Sequence, residues 1–128
     1  MTPSTGARVH ALLAADPAVA ALARDRIYPV EAKQGAQAPR IVFLLVDDPD
    51  DTMVDGTSSG LVNARLQVNC FANNYEQAQA LAEAVKKMFQ AQSGPALSAV
   101  PRGKRDLPTG DPLVRCTSRD FSLWIQET

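Results

Sequence analysis

The sequence predicts an α+β fold: a mainly antiparallel sheet of four to five strands with helices packed on one face. Three runs carry that reading. In LVNARLQVNCF, Leu61 to Phe71, Val62, Ala64, Leu66, Val68 and Cys70 alternate with Asn63, Arg65, Gln67 and Asn69, the pattern of a half-buried antiparallel strand. In YEQAQALAEAVKKMFQAQ, Ala78, Leu81, Ala82, Val85, Met88 and Phe89 recur at steps of three and four, which gives a helix one apolar stripe. RIVFLLV, Arg40 to Val46, is a β-branched and aromatic run of strand length, apolar on both faces and therefore central in a sheet. A strand and a helix with one apolar face each hide both when a helical layer covers one side of the sheet.

The elements follow in order. Ser4 or Thr5 can cap a helix carrying Val9, Leu12 and Leu13, ending near Ala15. Asp16 and Pro17 restart it, because aspartate caps well and proline suits the first helical position, so a broken helix over 4–15 and 17–24 is predicted. Arg26, Ile27 and Tyr28 make a short extended piece stopped by Pro29, and a polar connector leads to Pro39. DDPDDTMVDGTSSG then joins the two strands described above as the long tip of a β-hairpin. A tip of that length is longer than a compact fold requires and belongs to function or disorder. Asn73 or Asn74 caps the helix, and Ser93, Gly94 and Pro95 stop it. ALSAV, Ala96 to Val100, reads as a short strand and RGKRDLPTGDP as a turn-rich connection. LVRCTSRDFSLWIQ closes the chain as a strand with Phe121, Leu123 and Ile125 on one side.

A chain of 128 residues fits one domain, taken as 1–128, with a core that needs no disulfide or metal staple. Its 13 basic and 14 acidic side chains nearly cancel, so the uniform phosphate attraction of a dedicated nucleic-acid binder is missing. Apolar runs fall well short of the roughly 20 residues that span a bilayer, and the N-terminus has no basic region leading into an apolar core. The expectation is a protein made in the cytoplasm, without a membrane partner. Cys70 and Cys116 sit singly on separate segments, which suits small buried hydrophobes better than a zinc site or a disulfide framework.

The densest charge is in Asp47, Asp48, Asp50, Asp51 and Asp55, interrupted by the apolar pair Met53 and Val54. A calcium loop of the EF-hand type places oxygen ligands at its first, third and fifth positions and glycine at the sixth. Counted from Asp48, Thr52 holds the fifth position and Met53 the sixth, so the spacing fails. No neighbouring residues supply the pocket that would push the carboxylates' pKa values apart for acid and base work. A solvated, turn-rich tip is the reading that remains.

Other chemistry is equally unsupported. His10, the only histidine, lies in the first helix without a sequence signature for a nucleophile, and neither GxSxG nor a phosphate-binding GxxxxGK[ST] occurs. No catalytic residue, metal ligand or cofactor is predicted. Arg102, Lys104 and Arg105 form a basic cluster with no aromatic beside it in sequence, which suits a charged patch for an acidic partner surface better than base stacking. Trp124 on the last strand reads as core or interface filler.

Three blocks carry a resemblance. LLAADPAVAALARDRIYPVEAKQGAQAPRIVF, ARLQVNCFANNYEQAQALAEAV and RDFSLWI resemble the tail completion, or tail terminator, proteins of long non-contractile-tailed bacteriophages and related prophages. The shared features are a helix broken at Asp-Pro, an Arg-Ile-Tyr-Pro step, a proline-led apolar strand, an Ala-Arg-x-Gln-Val strand running into a Tyr-initiated Ala-rich helix, and an Asp-Phe-x-x-Trp ending. The sequence departs from the pattern at Arg40, where an apolar or aromatic residue often precedes the strand, and in the acidity of the hairpin tip.

The resemblance implies a structural virion protein that forms a ring, a hexamer, on the head-proximal end of the tail tube. Such a ring stops tube polymerisation and joins the tail to the head. Its implied partners are copies of itself, the tail tube protein and the head-tail connector or stopper, while DNA only passes through the lumen. The partner-facing residues expected here are Asp47, Asp48, Asp50, Asp51, Met53, Val54, Asp55, Arg102, Lys104 and Arg105. A head-side stopper or adaptor of the same particle is the neighbouring reading, and a small nucleic-acid-binding protein the remote one.

Overall fold

The computed structural model describes residues 4–33, 35–47, 61–92 and 97–126. Ser4 caps α1 (Thr5–Ala15), its hydroxyl accepting from the Ala7 N–H at 3.1 Å. Asp16 ends that helix and caps α2 (Pro17–Ala23), its carboxylate accepting from the Val19 N–H at 3.0 Å, with Pro17 in the first helical turn. The break expected at Asp-Pro is therefore built from one residue that ends α1 and caps α2.

Five strands form one sheet in the order β1-β2-β3-β5-β4: β1 (Ile27–Pro29), β2 (Arg40–Asp47), β3 (Leu61–Ala72), β4 (Leu97–Leu107) and β5 (Arg115–Gln126). All neighbours are antiparallel except β1 and β2. β2 begins at Arg40, the position that departs from the family pattern. There the guanidinium stacks on Phe71, 4.6 Å from its ring centre, and donates to the Ala36 carbonyl. The cation covers an aromatic face where an apolar residue would otherwise sit.

α3 (Tyr75–Gln90) is capped by Asn74, whose Oδ1 accepts from the Gln77 N–H at 2.9 Å. Its expected stop at Ser93, Gly94 and Pro95 lies outside the described residues. The helix crosses from β3 to β4, and β5 inserts between these two strands, so β3-α3-β4 is a split unit of parallel strands. α3 packs over β3, β4 and β5, α1 over β1, and α2 against α3. The three described helices thus serve one side of the sheet.

The core lies in that sandwich. Val9, Leu13 and Val19 meet Leu81, Val85 and Phe89 above a floor of Ile41, Phe43, Leu66, Val68, Phe121 and Leu123, all buried. The Phe89 and Phe121 rings touch with centroids 4.7 Å apart. Truncating one of these, Leu81→Ala for example, costs about 2–5 kcal/mol through lost transfer energy and the cavity left behind.

One sequence reading is corrected. RGKRDL is not a connector: β4 continues through it to Leu107, paired with β5 as far as Leu107↔Cys116. Charged residues on both sides hide the alternation, and pairing with a complete neighbouring strand overrides their weak strand propensity. The ladder absorbs Pro101 and Gly103 with a register shift between them, a bulge on an edge strand where proline is tolerated. Arg102, Lys104 and Arg105 therefore occupy a strand at the margin of the sheet.

Candidate interface on the open sheet face

Strand alternation sorts the basic cluster onto two faces. Lys104 pairs in register with Arg119, and Asp106 with Thr117, on the helix-covered side. Gly103 pairs with Asp120 and Arg105 with Ser118, on the side that carries no described helix. Arg102 is the bulge residue between them.

On the covered side the polar groups bind α3. The Gln79 amide donates to Thr117 Oγ1 at 2.9 Å and to Asp106 Oδ1 at 3.1 Å, and accepts from Lys104 Nζ at 2.7 Å. Tyr75 OH donates to Asp106 Oδ2 at 3.1 Å, and that bond to a carboxylate raises the phenol's pKa. Glu83 meets Arg119 at 3.3 Å. Gln79 and Glu83 lie off the helix's apolar stripe, yet both bridge to the sheet. Spacing shows where a polar residue points around a helix, and not whether a strand's polar end lies beneath it. Lys104 is thus occupied in holding α3 to β4.

The open side reads across the sheet in register rows: Arg40, Phe71, Cys116, Leu107; Val42, Asn69, Ser118, Arg105; Leu44, Gln67, Asp120, Gly103; Asp47, Arg65, Ser122, Val100; and Asn63, Trp124, Ser98. Its guanidiniums, Arg40, Arg65, Arg102 and Arg105, share the face with Asp120 and with Asp47, which ends β2 in register with Arg65. Arg105 reaches Asp120 at 3.5 Å, an exposed contact of little stabilising value. Asn63 donates to Ser122 Oγ at 2.8 Å and to the Leu123 carbonyl at 3.0 Å, which ties β3 to β5 at the rim. Asn63, Arg65, Arg102, Asp120, Phe121 and Ser122 enclose a concavity of about 360 Å³.

Trp124 stands on the same face, 45% exposed, with Val100 exposed diagonally across the β4–β5 pair. The fold thus puts an aromatic on the face of Arg102 and Arg105, although none is near them in sequence. Arg65, which the sequence reading placed only on a polar strand face, joins them because β5 brings β3 and β4 to either side of one trough.

Elsewhere Cys70 and Cys116 are both buried and unpaired, as the sequence implied. Burial raises both thiol pKa values, Cys116 to about 11. His10 is an exposed residue of α1, its ring 6.3 Å from that of Phe43. Among the described residues, no three His, Cys, Asp or Glu side chains gather to hold a metal, and no helix is long and apolar enough to cross a membrane. Of the expected acidic site, Asp48, Asp50, Asp51, Met53, Val54 and Asp55 lie outside the described residues, as does the Asp47 side chain.

The family model described as "Tail completion protein gp17" matches residues 7–126. The chain belongs to this family. Tail completion proteins are structural proteins of the phage tail, and this chain is accordingly a structural component of the virion tail. The match runs from α1 to the end of β5 and so covers every element described above. No curated protein sequence matches the chain. Among solved structures, a chain of the "Virion of native gene transfer agent (GTA) particle" shares the fold with a TM-score of 0.72 at 17% identity, covering 92% of this chain and 91% of that one.

Proposed function

We propose that this tail completion protein closes the head-proximal end of the tail tube as a ring of identical copies, ending tube growth and giving the head connector a surface to dock on. The observation that carries the proposal is the family match over residues 7–126. The resemblance in fold to a chain from an assembled virion supports it.

The geometry suits assembly. Among the described residues, a sheet covered by helices on one side and open on the other offers a broad surface, and β4 offers a strand edge. Pro101, the bulge and the basic side chains blunt that edge over 101–105, which favours a chosen partner over indiscriminate strand pairing. Head-to-tail contacts between unlike patches of identical copies are satisfied by closure into a ring. The near balance of 13 basic and 14 acidic residues suits a ring through which DNA slides without being gripped.

The test is genetic. A phage lacking the gene makes filled heads with overlong or unjoined tails; normal virions from that mutant overturn the proposal. Labelling the chain in a mutant that makes no heads places it on the free tails, whereas label found only on tailless heads assigns it to the head side.

A further inference from the structure

We propose that the open-face trough bounded by Arg65 and Arg102 takes the acidic run Asp48–Asp55 of a neighbouring copy. The inference rests on the ring reading above and names its contact.

The chain's near-neutral charge conceals segregation. Five of its 14 acidic residues fall within nine positions, while four arginines share one sheet face whose carboxylates, among the described residues, are Asp47, at the end of β2 in register with Arg65, and Asp120. Asp120 is engaged by Arg105 at 3.5 Å, and no carboxylate of a described side chain pairs with Arg65 or Arg102. Guanidiniums held on the two strands that flank β5 present forked donors, and carboxylates satisfy forked donors pairwise. The trough of about 360 Å³ has Asn63 and Ser122 on its wall as further polar partners.

The match extends to apolar groups. Within the acidic run only Met53 and Val54 are strongly apolar, and beside the trough Trp124 and Val100 are large apolar side chains left exposed on this face. A charged segment with one apolar anchor thus meets a charged face with one apolar anchor. The two patches differ from one another, so their contact is head-to-tail. A contact of that kind propagates around a ring, whereas a two-fold pair would need a self-complementary patch. Solvated duplex DNA would also find the arginines, but it offers nothing for Trp124 unless a base is unstacked.

Two variants test this. The face variant carries Arg65→Glu and Arg102→Glu; the tip variant carries Asp48→Asn, Asp50→Asn, Asp51→Asn and Asp55→Asn. A fluorescein-labelled synthetic peptide of residues 47–56 is titrated into the tip variant, whose own run cannot compete. Binding is expected to weaken with salt and to fall about tenfold or more when the face substitutions are added to the tip variant. Mixing the face variant with the tip variant leaves one intact contact per pair and yields a heterodimer by sedimentation, while each variant alone stays monomeric. Absence of peptide binding, or binding indifferent to Arg65 and Arg102, overturns the inference. So does a mixture that stays monomeric, which would place the run on its own chain. Arginine-dependent binding of a labelled duplex oligonucleotide, with none of the peptide, replaces it with a DNA contact. None of these failures alters the deletion phenotype, so the ring reading is judged separately.

Discussion

Arg119 on β5 points into the helix-covered side of the sheet and meets the Glu83 carboxylate of α3 at 3.3 Å, while its Nε, buried, has no partner. The arginine is 8% exposed and the glutamate about half exposed, so one partner keeps its water and the other does not. Glu83→Ala strands a buried cation and is expected to cost about 1–3 kcal/mol in urea unfolding, the exposed partner tempering the larger penalty of a fully buried pair. Arg119→Met added to that variant removes the stranded charge and recovers most of the loss. If the double variant is no more stable than Glu83→Ala alone, the pair is not the reason this arginine is tolerated.

How much of this could be read in the sequence follows from where each element's information lies. β3 was legible because its partners sit on one side only: Ala64, Leu66, Val68 and Cys70 are buried, and the intervening polar side chains are not. α3 was legible for the same reason. β4 was legible only at its start, because Arg102 to Asp106 are exposed on an edge strand and owe their conformation to the ladder with β5, which no local pattern encodes. The trough was hidden for a related reason. Arg65 and Arg102 are distant in sequence and become neighbours only through the strand order β3-β5-β4.

Val30 follows β1 with φ of 66°, a left-handed backbone in which a β-branched side chain is strained. Its N–H donates to the Phe43 carbonyl at 2.8 Å, which holds the conformation, and its side chain, 68% exposed, gains little from burial. The strain is worth about 1–2 kcal/mol. Asparagine tolerates this region through local hydrogen bonding, so Val30→Asn is expected to raise Tm by about 3–6 °C, equivalent to about 1 kcal/mol. A lower Tm would show that the valine makes a contact its exposure conceals.

The two thiols make stability fall in alkali. Burial is the leading cause at both: it raises Cys70 strongly and Cys116 from 9.0 to about 11, with Asp106 adding to the latter and Arg40 opposing it. Below pH 9 the thiols are protonated whether the chain is folded or not, and their contribution is fully present. Above it the unfolded chain releases protons that the folded chain retains, so stability declines as pH rises through about 11. Tyr75, raised by its bond to Asp106, acts in the same direction. Thermal melts across this range are expected to show a falling Tm, with a shallower fall in the Cys70→Ala, Cys116→Ala variant. At pH 8 the native thiols resist a disulfide reagent that modifies them once the chain is unfolded.

Trp124 separates a structural role from a partner-facing one. It stands on β5 between Asn63 and Ser98, nearly half exposed, while Phe121, Leu123 and Ile125 of the same strand are buried on the other side. A tryptophan left in water on a flat sheet face contributes little to folding but is the residue type that dominates interface energies when covered. Trp124→Ala is therefore expected to change unfolding free energy by about 1 kcal/mol or less, within the usual range for exposed positions. The same substitution, supplied in trans to a phage lacking the gene, should reduce the yield of joined particles by at least about tenfold, as loss of a central contact of about 1.4 kcal/mol or more requires. A stable variant that restores full yield would mean that the open face meets no partner. A variant that fails to fold would mean that the tryptophan is core after all, which its exposure argues against.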